Sequence, residues 1–225
     1  MNAAGANERA LRDAVIATAR EMNALGINRG KSGNVSARWR HSTFDGYLIT
    51  PSGMLYADIV ADDIVAMPID GDAKVARGPR LPSSEWRFHR DIYSARPETE
   101  AIVHTHAPFA TSLACLHRAI PAFHYMVAVA GGKDIRCAPY ATFGTQALSD
   151  HALAALEGRG ACLLANHGMV AIGATLAATL ALAVDVETLA EMYWRAVQAG
   201  TPQLLSDEEM QTVVAKFATY GQSQR

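Results

Sequence analysis

Leu11, Val15, Ala19, Met22 and Leu25 recur three and four residues apart, an apolar stripe that predicts an amphipathic helix stopping at Gly26. The polar, glycine-bearing run 28–34 predicts a loop. Residues 35–39 and 47–50 read as strands paired around a turn at Asp45-Gly46, and 64–69 as a further strand turning at Asp70-Gly71. Pro82-Ser83-Ser84 offers a helix start; the helix continues over 85–95 until Pro97 forbids extension. The second half alternates. It predicts strands at 101–106, 135–138, 162–166 and 169–172, and helices at 108–116 with Pro108 in the first turn, at 145–156 and at 176–198. Ser206 and Glu209 form a capping-box pair that opens a last helix over 206–219. No repeat, low-complexity tract or long linker interrupts this order. The expectation is an α/β fold, one domain over residues 1–225, with a central mixed or antiparallel sheet and helices on both faces.

Composition narrows the class. Half of the 225 residues are apolar and the net charge is −2, which excludes intrinsic disorder. A pI of 6.4 argues against nucleic-acid binding, so any anion must be held by a local site. Cys115, Cys137 and Cys162 are odd in number, widely spaced and set among apolar neighbours, the pattern of small buried thiols in a reducing compartment. No signal-peptide pattern opens the chain, and the most apolar stretch, 169–184, falls short of the ~20 residues that a bilayer span needs. A cytoplasmic protein with no membrane partner is the expectation.

His104-Thr105-His106 falls on a predicted strand, where residues two apart point to the same side and both imidazoles project together. His167 follows 61 residues later at the end of another predicted strand, beside Gly168. Three imidazoles suit zinc and leave one position open; two exposed histidines on an edge strand would give the same local pattern. His41, His89, His117, His124 and His151 lack such context and read as surface or packing residues. Glu85, just inside a helix start, is either an acidic first-turn residue favoured by the helix dipole or a carboxylate that meets a metal and moves a proton. Gly33-Asn34, Ser52-Gly53 and Ser83-Ser84 could each hold an oxyanion or serve as ordinary turns and caps.

Longer segments carry a resemblance. Ser32-Gly33-Asn34-Val35-Ser36, Ile49-Thr50-Pro51-Ser52-Gly53, Leu81-Pro82-Ser83-Ser84-Glu85-Trp86, Val103-His104-Thr105-His106-Ala107 and Asn166-His167-Gly168 resemble the class II aldolase/adducin family in order and spacing. With the His124-Tyr125-Met126 and Tyr140-Ala141-Thr142-Phe143-Gly144 segments and the ending through Tyr220, the likeness runs from about residue 8 to 221. It implies zinc-dependent, reversible aldol cleavage of a ketose 1-phosphate, of the L-fuculose 1-phosphate kind, to dihydroxyacetone phosphate and a short aldehyde such as L-lactaldehyde. It implies zinc on His104, His106, His167 and Glu85, with Glu85 also the catalytic acid/base. It implies a phosphate site at Gly33, Asn34, Ser52, Gly53, Ser83 and Ser84, and an aldehyde end shaped by Phe143 and Tyr220. Tyr125 would donate a proton across a subunit interface of a homotetramer. Lys31 stands where the family pattern has threonine. Two other readings belong to the same resemblance. A sugar-phosphate 4-epimerase would carry lysine at the Thr50 position and aspartate at the Glu85 position, and a non-catalytic adducin-like module would be free to lose the ligands that this chain keeps.

Overall fold

The computed structural model describes residues 3–217. Seven strands form one sheet: β1 (Asn34–His41), β2 (Phe44–Ile49), β3 (Val65–Pro68), β4 (Ala101–Thr105), β5 (Cys137–Ala138), β6 (Ala161–Leu164) and β7 (Gly168–Gly173). Their spatial order is β3-β2-β1-β4-β7-β6-β5, antiparallel throughout except for β5 beside β6. The helices among the described residues are α1 (Ala3–Ala24), α2 (Trp86–Ala95), α3 (Pro108–Cys115), α4 (Gln146–Leu156), α5 (Leu176–Ala199) and α6 (Asp207–Phe217).

Strand alternation divides the core into two layers. Val35, Ala37, Val103, Leu163, Met169 and Ala171 pack on the face covered by α1, α3 and α5. Ile102, Cys162, Leu164 and Val170 pack on the other face, against Trp86, Phe88 and Ile92 of α2 and Leu148 and Ala152 of α4. Each fully buried aliphatic or aromatic side chain contributes about 1.5–3 kcal/mol, so both faces must be covered. β1 departs from this pattern. Its α2-facing positions are Asn34, Ser36 and Arg38, all buried, so that polar seam must find its partners inside the protein.

The mixed sheet with helices on both faces is the architecture that the periodicity predicts. Some boundaries differ. Asp45-Gly46 is not the hairpin turn but part of β2; His41 pairs with Phe44, and Ser42-Thr43 make the turn. Phe44 is buried and lies 4.7 Å from the Trp39 ring. Gly46 serves close packing instead of a turn, since an added Cβ would run into the Met67 carbonyl and the Phe44 ring. β5 is only two residues long, Ile135 making an isolated bridge to Ile120. β6 stops at Leu164 because the His167 N–H turns back to the Leu164 carbonyl (3.0 Å). Ser206 caps α6 as its sequence predicts, accepting from the Glu209 N–H at 3.1 Å. Tyr220 lies outside the described residues. The three cysteines are free thiols, but only Cys162 is buried as expected; Cys137 is half-buried, and Cys115, at the end of α3, is exposed. No described helix is long and apolar enough to cross a membrane.

Candidate active site

The middle of the sheet delivers three imidazoles to one point. His104 lies on β4 opposite Asn34 of β1 and Val170 of β7, and His106 follows two residues on, just past the strand end. Thr105 faces the opposite way, its hydroxyl donating to the Ile27 carbonyl and pinning the 28–33 loop beside the strand. His167 comes from the β6–β7 turn. That turn depends on Asn166 at φ 54°, a left-handed conformation that asparagine tolerates better than most residues. His117 Nε2 lies 2.6 Å from Asn166 Oδ1 and braces it.

The three rings stand edge to face with centroids 4.8–5.0 Å apart. One nitrogen from each falls within 4.8 Å of the others. His104 Nε2 lies 3.2 Å from His106 Nε2. His104 Nδ1 is 2.9 Å from the Met169 carbonyl, which can only accept, so Nδ1 carries a proton and Nε2 faces the cluster, where, against the effect of burial, the neighbouring Glu85 carboxylate raises the affinity of the ring for a second proton. Glu85, immediately before α2, completes the set: Oε2 is 3.1 Å from His104 Nε2, and Oε1 is 3.1 Å from His167 Nε2. Oε1 is buried and has no hydrogen-bond partner. Three inward nitrogens and a carboxylate repel one another unless a proton or cation sits among them. This donor set fits a first-row dication such as zinc.

Electrostatics agree with an ionised carboxylate. Burial alone would raise the Glu85 carboxyl, but attraction to His104 and then His167 outweighs it and holds the group well below the usual carboxylate range. Burial, reinforced by His104 and His167, pushes His106 down to about 4, which keeps its ring neutral near pH 7 and able to act as a ligand.

The other singled-out residues fall around this centre unequally. A cavity of about 250 Å³ opens onto Glu85, His106 and His167 and is also walled by Ser32, Ser84, Tyr140 and Phe143. Ser83 is buried and its hydroxyl accepts from the Glu85 N–H (3.3 Å), whereas Ser84 is exposed at the mouth. Ser52 and Gly53 are held near by two backbone bonds, Ser52 N to Leu81 O and Ser83 N to Thr50 O. Gly33 packs beneath the His104 carbonyl, and Lys31 is exposed on the same loop. Asn34 reaches the centre, but both ends of its amide are engaged, with Glu85 Oε2 (2.9 Å) and His89 Nε2 (2.5 Å). Tyr125 is not in this cavity. It is half exposed in a separate groove of about 730 Å³ between its own 3-10 helix (Tyr125–Ala130) and α6, with its ring stacked at 6.4 Å on Phe217. That groove is larger but mostly apolar, and none of the converging imidazoles lines it.

Sequence reading overlooked His89. Of the surface or packing reading it keeps only the packing half, being fully buried, and beyond packing it joins the polar seam of β1 to Glu85. The available signal was the four-residue spacing of Glu85, His89 and Tyr93 against the two-residue spacing of Asn34 and Ser36.

Comparisons with known proteins place this geometry. The family model described as "Class II Aldolase and Adducin N-terminal domain" matches residues 13–194. The chain belongs to the class II aldolase and adducin family. A 5-methylthioribulose-1-phosphate/5-deoxyribulose-1-phosphate aldolase of Rhodospirillum rubrum is 58% identical over 94% of this chain and 93% of its own length. An L-fuculose phosphate aldolase of Escherichia coli is 49% identical, over 92% of this chain and 94% of that protein. A solved L-fuculose 1-phosphate aldolase superposes with a TM-score of 0.86 at 42% identity, covering 92% of this chain and 96% of the other. The chain is thus a class II aldolase, a lyase of a metal-dependent family that acts on phosphorylated ketoses.

Proposed function

We propose that this class II aldolase reversibly cleaves a five-carbon ketose 1-phosphate with an apolar C5 substituent, a methylthio or deoxy group, to dihydroxyacetone phosphate and the matching short aldehyde. The observation that carries the reaction is the convergence of His104, His106 and His167 on the unpartnered Glu85 Oε1. The preference among substrates draws on the relative at 58% identity, named for methylthioribulose and deoxyribulose phosphates, against 49% for the relative named for fuculose phosphate. The exposed rings of Tyr140 and Phe143 on the cavity wall suit such a substituent better than a sugar hydroxyl.

His104, His106, His167 and Glu85 would hold zinc, which when bound supplies Lewis-acid stabilisation of charge on the substrate oxygens. In the condensation direction Glu85 removes the carbon-bound proton of dihydroxyacetone phosphate. The exposed Ser84 just before α2 and the Ser52-Gly53 turn grip the phosphate, so that remote binding aligns the reacting carbons. Tyr125, exposed away from its own chain's cavity, serves the site of a neighbouring subunit in a homotetramer and protonates the new alkoxide. The setting is cytoplasmic.

The test is aldehyde and dihydroxyacetone phosphate release by zinc-loaded protein from 5-methylthioribulose, 5-deoxyribulose and L-fuculose 1-phosphates. Highest kcat/KM on the first two is expected. Inversion of a stereocentre without aldehyde release, or no turnover with one zinc bound per chain, overturns the reading.

A further inference from the structure

A row of buried polar groups runs back from Glu85 into the protein. Glu85, His89 and Tyr93 stand four apart along α2, and Asn34 and Ser36 stand two apart on the α2-facing side of β1. Four helical residues advance about 6 Å and two strand residues about 6.8 Å, so the two rows keep step and interleave. Tyr93 Oη is 2.8 Å from Ser36 Oγ, Ser36 Oγ is 2.7 Å from His89 Nδ1, His89 Nε2 is 2.5 Å from Asn34 Oδ1, and Asn34 Nδ2 is 2.9 Å from Glu85 Oε2. All five residues are buried.

The direction of every bond follows from the carboxylate end. An ionised Glu85 only accepts, so the Asn34 amide turns its N–H toward Oε2 and its carbonyl toward His89. That carbonyl needs a donor, so His89 carries its proton on Nε2. Burial, with His104 adding to it, pushes the His89 pKa down to about 3, so the ring is neutral and its Nδ1 is a bare acceptor. Ser36 must then donate to Nδ1, and Tyr93 to Ser36. The opposite tautomer would set two lone pairs face to face across 2.5 Å, or force the amide to turn its oxygen on the carboxylate.

We propose that His89 is a positioning residue: as the Nε2–H tautomer, held by Ser36 and Tyr93, it locks the Asn34 amide in the orientation that fixes the Glu85 carboxylate for proton transfer. This rests on the reading of Glu85 as the aldolase's base. Without the His89 donor the Asn34 carbonyl is left buried without a partner, and the amide is held only from its Glu85 end.

Two measurements test it. Long-range ¹H–¹⁵N correlation of the wild-type imidazoles at pH 7 should give a protonated Nε2 and an unprotonated Nδ1 for His89; the reverse assignment overturns the proposal and needs no substrate. His89→Met fills the space but removes the donor, and His89→Gln returns an amide N–H near the same place. His89→Met should lose roughly 10–100-fold in kcat with KM within about twofold and one zinc per chain retained, and His89→Gln should recover most of the loss. Both variants as active as wild type, both equally impaired, or turnover lost in proportion to zinc, overturns it. If His89→Met fails to fold, the tautomer decides. If the wild type cleaves no ketose phosphate, the aldolase reading falls, and the tautomer still decides whether His89 holds Asn34.

Discussion

Gly168→Ala probes how tightly the imidazoles are packed. Gly168 opens β7 directly after His167, and an added Cβ would stand 2.6 Å from the Thr105 carbonyl oxygen, 3.0 Å from His106 Cδ2 and 3.3 Å from His104 Cε1. Carbon and oxygen approach to about 3.3 Å, so about 0.7 Å of displacement is required at the first of these contacts. Thr105 is paired with Met169 in the β4–β7 ladder and cannot recede alone. Overpacking of this kind costs about 1–3 kcal/mol. If β4 and β7 part, the metal-free chain loses that stability. If the rings move instead, zinc affinity falls roughly 5–150-fold. Urea unfolding of the metal-free protein and competitive chelator titration measure the two parts, and their sum should fall in that range. Both quantities within about 0.5 kcal/mol of wild type would refute the packing argument.

Glu85→Gln should retain zinc at least in part while turnover falls about 10²–10⁴-fold, as metal analysis and steady-state kinetics on one preparation would tell; undiminished cleavage removes Glu85 from its role. His104→Ala should lose zinc and activity together, because His104 meets both His106 and Glu85. Tyr125→Phe should lower kcat and leave zinc content unchanged, and mixing it with Glu85→Gln under conditions of subunit exchange should restore part of the activity if the two residues serve one site from different chains. His89 has a folded-state pKa of about 3, depressed from the ordinary 6.5. Between those values the unfolded chain binds the extra proton, so stability falls with falling pH across that window and is flat above it. Compared with His89→Gln, the metal-free wild type should lose about 1.4 kcal/mol more per pH unit between pH 6 and 4. Equal slopes in urea unfolding at the two pH values would contradict the burial of a neutral imidazole.

Much of the fold is legible because its signals are local. The 3–4 spacing from Leu11 to Leu25, the Ser206 and Glu209 capping pair and the short apolar runs of the strands each speak for a few residues at a time. Asp45-Gly46 misleads because glycine has two uses, and here the tight approach of Met67 and Phe44 decides between them. His104 and His106 are readable as a pair from strand alternation, but their meeting with His167 requires the β4–β7 register of His104 opposite Val170, which the sequence does not display. His89 was hidden for a related reason. Its partners belong to a strand 53 and 55 residues away, and only the stacking of α2 on β1 brings them to it.

The bonds that build this centre are long in sequence. Asn34 reaches Glu85 across 51 residues, and His104 reaches Met169 across 65. Glu85, His104 and His106 lie within residues 85–106, but His167 follows 61 residues later, and contacts across such spans form slowly. A nascent chain leaving the ribosome therefore has no way to capture a dication in this arrangement before β7 has docked against β4. Loading with metal would then be a certificate of a completed sheet, since translation products cut short before residue 167 lack one of the four donors.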